Sequence, residues 1–238
     1  MIARCSTARC STGRTGPAPD ADADCFLPGT RILTEQGPIA VERLEEGMWV
    51  PMLNAGRSAP VWWMGHRIVD CARHPRPDKV WPVRVARHAF GPGLPMRDLW
   101  LSPDHCVFVE GVLIPIRALI NRATVAQVPT PEVIYWHVEL TAHSIVLAEG
   151  MPVETYLDAS NRAAFANGDR LAMLHAEFDR GDCEEDECAP MLATGPERDR
   201  AERRLAAQAL ALGWQQRHGE DGAPQWIAPD GTDFRLPA

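Results

Sequence analysis

The sequence predicts an all-β body followed by a small α+β appendage at the C-terminal end. From residue 30 to residue 158, short apolar runs alternate with turn residues about every 8–12 residues, and no long amphipathic helix interrupts them. Pro196–Leu212 is the clearest helix of the chain: proline opens it, acidic residues fall early, and Gly213 follows its end. Beyond the helix, apolar residues with Asp230-Gly231 between them predict a terminal hairpin.

Turn residues and composition divide the chain further. Glu110-Gly111 separates two strands, and Gly65 is expected to kink the apolar run Val61–Val69. Residues 1–23 hold few bulky apolar side chains, so we expect them to be disordered. We therefore predict a folded domain over residues 24–158 and a C-terminal extension over residues 159–238. A short helix is expected within Asn161–Phe178.

Charge and hydropathy exclude two classes of function. The net charge of −8 argues against a general nucleic-acid binder, which needs a basic surface. No apolar run reaches the ~18 residues of a membrane span, and the first residues lack the apolar centre of a secretory signal. We expect a soluble protein without a recognisable signal peptide. Its compartment is left open between the cytoplasm and secretion by a non-standard route.

The seven cysteines do not form the pattern of a disulfide scaffold, and their odd number leaves at least one thiol free. Cys183 and Cys188 are the one tight pair, with four acidic residues between them. A zinc site would need further ligands, and His175 is the nearest candidate. A metal, a labile disulfide and an unpaired acidic loop remain as alternatives. We predict the last, with no metal and no cofactor.

Three separated segments carry the residues suited to chemistry. Cys25 opens the first strand, between a segment expected to be disordered and the folded body. Ser102-Pro103-Asp104-His105 lies between two strands in mid-chain, and the third segment runs from Tyr135 to Thr155. Taken alone, Cys25 is a small apolar core residue or a nucleophile, and His105 is a surface turn histidine or a catalytic one.

Together the three segments resemble the Hedgehog/intein (Hint) family. The resemblance rests on Cys-x-x-x-Gly-Thr at residues 25–30, Val-Glu-x-Leu-x-x-Gly at residues 41–47, Ser-x-x-His at residues 102–105 and a closing block at residues 137–150. It covers residues 24–158 and is nearest to bacterial Hint domains without the intein ending. It implies a horseshoe-like all-β fold with pseudo-two-fold symmetry and the cysteine in a central cleft.

The chemistry that this resemblance implies is attack of the Cys25 thiol on the carbonyl of Asp24. Exchange of an amide for a thioester is uphill, so it needs an activated nucleophile, an acid for the departing nitrogen and donors for the oxyanion. By resemblance His105 is the acid. Ser102, where the family more often has threonine, positions His105 or donates to the scissile carbonyl. Asp104 joins this site or only caps the turn.

The closing block supplies further candidates and one exclusion. His143 occupies a position where the family commonly has a largely structural histidine, and His137 is expected to be a core histidine or a catalytic one. Splicing inteins end in His-Asn, but this chain has Glu154-Thr155 there. Because no asparagine can cyclise, true splicing is excluded. His143 and Thr155 complete the predicted catalytic set with Cys25, Ser102, Asp104 and His105.

Two main functions follow from these residues. The first is single-turnover autoprocessing, in which the N-terminal segment is the substrate and a thioester at Cys25 is resolved by water, a thiol or another small nucleophile. The carboxylate of Asp24 either attacks this thioester or repels the thiolate. The second is a non-catalytic Hint-like scaffold with an unidentified protein partner, favoured by the missing His-Asn and the 24 residues before Cys25. A Cys25–His105 hydrolase acting on other proteins is the third alternative.

Overall fold

The computed structural model describes residues 25–155, 188–218 and 224–230, and it confirms the all-β body. The strands are β1 (Arg31–Thr34), β2 (Gly37–Ala40), β3 (Trp49–Met52), β4 (Arg57–Asp70), β5 (Val83–Val85), β6 (Leu99–Leu101), β7 (Cys106–Val109), β8 (Val112–Pro115), β9 (Val125–Gln127), β10 (Glu132–Leu140), β11 (Ile145–Ala148), β12 (Met151–Glu154), β13 (Gln215–His218) and β14 (Pro224–Ile227). Helix α1 spans Pro196–Ala211, and 3₁₀ turns span Val41–Arg43, Pro77–Lys79 and Ile116–Leu119.

The strands of the body form three sheets. The largest has the order β2-β1-β11-β12-β7-β8, and two three-stranded sheets have the orders β10-β4-β3 and β6-β5-β9. All pairs between these strands are antiparallel. Antiparallel neighbours can be joined by very short turns, which agrees with the closely spaced turn residues of the sequence.

Two hairpins use turns that need left-handed backbone at both central positions. Glu110 and Gly111, between β7 and β8, have φ of 54° and 83°. Glu149 and Gly150, between β11 and β12, have φ of 49° and 79°. Such turns match the twist of the flanking strands, and glycine supplies the second position without steric cost.

Residues 25–27 connect two of the sheets. The N–H of Phe26 donates to Trp136 O at 2.8 Å, and the N–H of Trp136 donates back to Phe26 O at 2.8 Å. On the other side Phe26 forms a bridge with Leu101, and the N–H of Leu27 donates to Trp100 O at 3.3 Å. The start of the body is therefore inserted between β10 and β6.

The expected kink at Gly65 is wrong. β4 runs unbroken for 14 residues and pairs with β10 from Val61 to Asp70. Gly65 pairs directly with His137, and the irregularity of this ladder lies instead between Glu139 and Leu140. Glycine weakens a strand but does not end it when the backbone hydrogen bonds on both sides continue.

The appendage contains the predicted helix and hairpin, and it packs on the body. From α1, Ala201 and Leu205 join the main hydrophobic core, while Ala209 packs with Ala123 and Trp226. This core is built from inward-facing residues of the sheets, among them Ile32, Val50, Leu99, Leu101, Val107, Ile114, Val138, Val146 and Val153. The extension is thus continuous with the core of the body.

Strands β13 and β14 of the appendage pair from Gln215 with Ile227 to His218 with Pro224. Residues 219–223 and Gly231 lie outside the described ranges, so the predicted turn at Asp230-Gly231 stays a prediction. Residues 1–24, the expected helix at Asn161–Phe178 and Cys183 also lie outside the described ranges. Within those ranges, no helix has the length and apolar character needed to cross a membrane.

The packing of α1 predicts a clear difference between two of its leucines. Leu205 is fully buried, whereas Leu210 is 54% exposed. Leu205→Ala should lower the free energy of unfolding by about 2–5 kcal/mol because it leaves a cavity in the shared core. Leu210→Ala should change it by about 0.5 kcal/mol or less. Urea unfolding of both variants measures this, and equal effects would show that α1 does not share the core.

Candidate active site

Cys25 is fully buried, and Ser102 holds both of its backbone groups. The N–H of Cys25 donates to Ser102 Oγ at 3.0 Å, and the N–H of Ser102 donates to Cys25 O at 3.0 Å. Ser102 directly follows β6, whose last residue, Leu101, bridges to Phe26. The hydroxyl of Ser102 therefore lies at the nitrogen of the peptide bond that precedes Cys25.

The Cys25 side chain faces His137. Sγ lies 2.6 Å from His137 Nε2, and both residues are fully buried. His137 follows Trp136 in β10, and Trp136 is the residue that exchanges hydrogen bonds with Phe26. Because neighbouring strand residues point to opposite faces, this register turns the His137 ring away from the Trp136 side chain and towards the cysteine.

His137 is a neutral base in this position. Burial, together with the charge of Arg67 and that of His105 when it is protonated, lowers the pKa of His137 well below its ordinary value. A neutral imidazole offers one ring nitrogen as an acceptor, so Nε2 is suited to take the Cys25 thiol proton.

Apolar side chains surround the cysteine on its other sides. Cys25 belongs to a small buried cluster with Trp63, Cys71, Val133 and Tyr135. Burial raises the pKa of Cys71, and it also raises the pKa of Tyr135, which donates its hydroxyl to a backbone carbonyl. A dry environment of this kind strengthens electrostatic interactions and excludes competing water.

His105 is the second buried histidine at the site. Its Nε2 donates to Glu154 O at 3.2 Å, and its ring packs edge-on against Phe26 at 4.5 Å between centroids. Burial lowers the pKa of His105, although the Glu154 carboxylate and the backbone of Cys25 oppose this shift. His105 is therefore neutral near pH 7 and becomes a strong acid when it is protonated.

Glu154 connects His105 to His143. Its carboxylate is buried and accepts the N–H of Cys106 at 2.7 Å, and Oε2 lies 3.4 Å from His143 Nε2. Burial opposes ionisation of Glu154, but His143, His105 and Cys106 together lower its pKa. Burial likewise opposes protonation of His143, but contacts with Cys188 and Glu154 raise the pKa of His143 to about 10. The carboxylate thus lies between a neutral histidine and a protonated one.

Asp104 and Thr155 have partners of their own. Asp104 pairs with Arg117 in the adjacent 3₁₀ turn. Thr155 exchanges backbone and hydroxyl hydrogen bonds with Ser144, including Ser144 N–H to Thr155 Oγ1 at 3.0 Å. These contacts close the turn after His105 and the end of β12, and a catalytic part for either residue stays a prediction.

Of the predicted set, the structure brings Cys25, Ser102 and His105 together. His143 lies farther from Cys25, on the other side of Glu154. The sequence left His137 as either a core or a catalytic histidine, and the structure places its Nε2 2.6 Å from the Cys25 thiol. Within the described ranges, no three His, Cys, Asp or Glu side chains converge as metal ligands would. Asp24 lies outside the described residues.

The pKa of His143 predicts a pH dependence of stability. Its value is about 6.5 when unfolded and about 10 when folded, so this stabilisation is fully present below about pH 6.5 and is lost as the pH rises through about 10. The loss reaches at most about 1.4 kcal/mol per pH unit. In His143→Gln this decline should be absent.

Urea unfolding at about pH 6 and about pH 9 tests this dependence. His74→Gln, at a partly exposed histidine that contacts Arg76, serves as the matched control and should keep the wild-type slope. An unchanged slope in His143→Gln would contradict the raised pKa.

Comparison with known proteins identifies the family. The model of the Hint domain family matches residues 24–160, more than half of the chain. Among solved structures, the chain is similar to the DnaB intein from Synechocystis sp. PCC 6803, with 11% identity, 56% of this chain and 99% of that chain covered, and a TM-score of 0.39.

The chain is also similar to the gp41-1 intein, with 12% identity, 55% and 97% coverage and a TM-score of 0.38. For the bacterial intein-like domain from Clostridium thermocellum the values are 14% identity, 56% and 98% coverage and a TM-score of 0.38. No curated protein sequence matches the chain. The family match spans both the β body and the site around Cys25, and the chain therefore belongs to the Hint domain family.

Proposed function

We propose that this domain carries out Hint-type autoprocessing, beginning with an N-to-S acyl shift at the Asp24–Cys25 bond. The observation that carries the proposal is the 2.6 Å contact between the Cys25 thiol and His137, a buried histidine whose pKa lies well below its ordinary value. A thiol in contact with a neutral base is the arrangement of an activated nucleophile.

In the first step His137 Nε2 takes the proton of Cys25 Sγ, and the thiolate attacks the carbonyl carbon of Asp24. A new C–S bond forms, and the carbonyl electrons move to the oxygen of a cyclic tetrahedral intermediate. Sulfur and nitrogen of the same residue then share one carbon, so attack needs no external substrate. Burial of Cys25 suits this intramolecular reaction and disfavours a hydrolase acting on other proteins.

In the second step the C–N bond breaks and the α-amino group of Cys25 is released, leaving a thioester. The departing nitrogen needs a proton because an amide anion cannot leave. Ser102 Oγ lies 3.0 Å from this nitrogen and is placed to relay a proton to it. We assign the donor role to the protonated form of His105, which its lowered pKa makes a stronger acid than an ordinary imidazolium. The proton that His137 took from the thiol then replaces the one that His105 donated, so the shift moves one proton from sulfur to nitrogen overall.

The thioester is then resolved by water, a thiol or another small nucleophile, with residues 1–24 as the released acyl group. Splicing is not part of the proposal, because Glu154 and Thr155 stand where an asparagine would be needed. Their contacts to Cys106 and Ser144 hold the end of β12 in place.

The acyl shift predicts cleavage induced by dithiothreitol. The wild-type chain should lose residues 1–24 and leave a product that begins at Cys25, and Cys25→Ala should not react. His137→Gln should slow cleavage about 10²-fold or more, because it removes the base. Intact-mass spectrometry over time measures all three proteins.

Cys106→Ala is the matched control, since Cys106 is equally buried and its sulfur contacts the backbone carbonyl of Asp104. It should cleave at the wild-type rate. Full-length mass in every sample of folded protein would contradict autoprocessing and favour the non-catalytic scaffold.

A second prediction concerns Ser102. Ser102→Ala removes the hydroxyl at the departing nitrogen and should slow cleavage about 10²-fold, whereas Ser102→Thr keeps the hydroxyl and should restore most of the rate. Circular dichroism checks that both variants fold. Equal rates for Ser102→Ala and wild type would remove Ser102 from the mechanism.

A further inference from the structure

We propose that Glu154 is the positioning residue for His105: its carbonyl oxygen holds the ring, and its carboxylate favours the protonated ring that donates in the acyl shift. This inference rests on the function proposed above, because it concerns the acid of that reaction. Glu154 acts through His105 rather than on the reacting atoms.

Strand register brings Glu154 beside His105. β12 pairs with β7 with Val153 opposite Val107, so Glu154 lies opposite Cys106, the residue that follows His105. The Glu154 carboxylate accepts the N–H of Cys106 at 2.7 Å. The side chain of Glu154 therefore fixes the backbone directly after His105.

The backbone carbonyl of Glu154 determines which ring nitrogen of His105 carries the proton in the neutral state. Nε2 of the ring lies 3.2 Å from Glu154 O. Because a carbonyl oxygen only accepts, Nε2 keeps its hydrogen whether the ring is neutral or charged. Nδ1 is buried and has no hydrogen-bond partner among the described residues. The second proton, which only the charged ring holds, is therefore on Nδ1.

The Glu154 carboxylate is the charge that opposes the effect of burial on His105. The two residues are 1% and 0% exposed. Burial lowers the pKa of His105 and the carboxylate raises it, while His105 in turn helps to lower the pKa of Glu154. Opposite charges attract strongly in such a dry site. Oε2 also lies 3.4 Å from His143 Nε2, a contact that helps to keep the carboxylate ionised.

The other charged groups around His105 come from three elements. His137 in β10 is close enough for the charge of protonated His105 to lower its pKa. The Cys25 thiol contacts His137, and the backbone of Cys25 helps to raise the pKa of His105. Asp104, in the same turn as His105, is paired with a cation of the adjacent 3₁₀ turn. A substitution at Glu154 leaves these groups in place, so a change in His105 traces to the carboxylate and its partner histidine.

Glu149 offers a matched control for the loss of a buried carboxylate. It is 4% exposed, accepts the N–H of Arg31 at 2.7 Å and pairs with Arg97. It belongs to the turn at the opposite end of β12 from Glu154. Glu149→Gln and Glu154→Gln therefore remove the same charge from similar surroundings, and each keeps an oxygen for the backbone N–H. Only the second should change His105.

Nuclear magnetic resonance of the histidine ring nitrogens tests the proposal without cleavage. The full chain with Cys25→Ala carries isotopically labelled histidine, and His105 is identified by the loss of its signals in His105→Gln. Neutral His105 should hold its proton on Nε2, and Glu154→Gln should lower its pKa. Glu149→Gln should keep the pKa, and His143→Gln, which leaves the carboxylate in place, should not lower it. A proton on Nδ1 of the neutral ring, an unchanged pKa in Glu154→Gln or an equal fall in His143→Gln would overturn the proposal.

The pH–rate profile of dithiothreitol-induced cleavage gives the second readout, in chains with Cys25 intact. Glu154→Gln should cleave about tenfold more slowly at about pH 7, because a smaller fraction of His105 is charged. The limb on which the rate falls with rising pH should move to lower pH. Glu149→Gln should keep the wild-type profile. A wild-type profile in folded Glu154→Gln would overturn the role of Glu154 and leave the acyl shift standing. Absence of cleavage in the wild-type chain would contradict the acyl shift, and the titration of His105 would still decide the role of Glu154.

Discussion

The insertion of residues 25–27 between β10 and β6 determines the geometry of the whole site. Phe26 exchanges hydrogen bonds with Trp136 on one side and bridges to Leu101 on the other. Three residues of the site are each one position away from a bridged residue. Cys25 precedes Phe26, His137 follows Trp136 and Ser102 follows Leu101, so a single strand register brings all three together.

Burial determines the protonation state of His137 and His105, the two histidines at this site. The pKa values of His137 and His105 are both lowered, chiefly because a buried imidazolium lacks the stabilisation of water. His143 is also buried, but contacts with Cys188 and Glu154 outweigh burial and keep it protonated. The Glu154 carboxylate therefore lies between the neutral histidines near Cys25 and the protonated His143, which contacts Cys188 of the C-terminal extension.

Local sequence signals predicted the parts of the fold that depend on local physics. Glycine after an acidic residue marked the turn at Glu110-Gly111, and proline and Gly213 bracketed the helix. The order of Cys25, Ser102 and His105 indicated the family, and the structure brings these three residues together. The unbroken β4 was missed, because its backbone pairing with β10 continues through Gly65.

The contact between Cys25 and His137 could not be read from the sequence, since 112 positions separate the two residues and only the register of Phe26 with Trp136 brings them together. Alternation within β10 suggested a buried histidine but not its partner. Similarly, nothing near Asp104 indicated Arg117, and nothing near Cys188 indicated His143. Long-range pairing supplies this information, and a single sequence does not contain it in a local pattern.

Trapping of the acyl group with hydroxylamine tests the central claim most directly. Hydroxylamine attacks thioesters but leaves ordinary amides intact under mild conditions, and peptide mapping then identifies the modified carbonyl. The account predicts a fragment of residues 1–24 that ends in a hydroxamate at Asp24, together with a partner that begins at Cys25. An intact chain, from folded wild-type protein whose Cys25 is unmodified, would contradict the claim that a thioester forms at this cysteine.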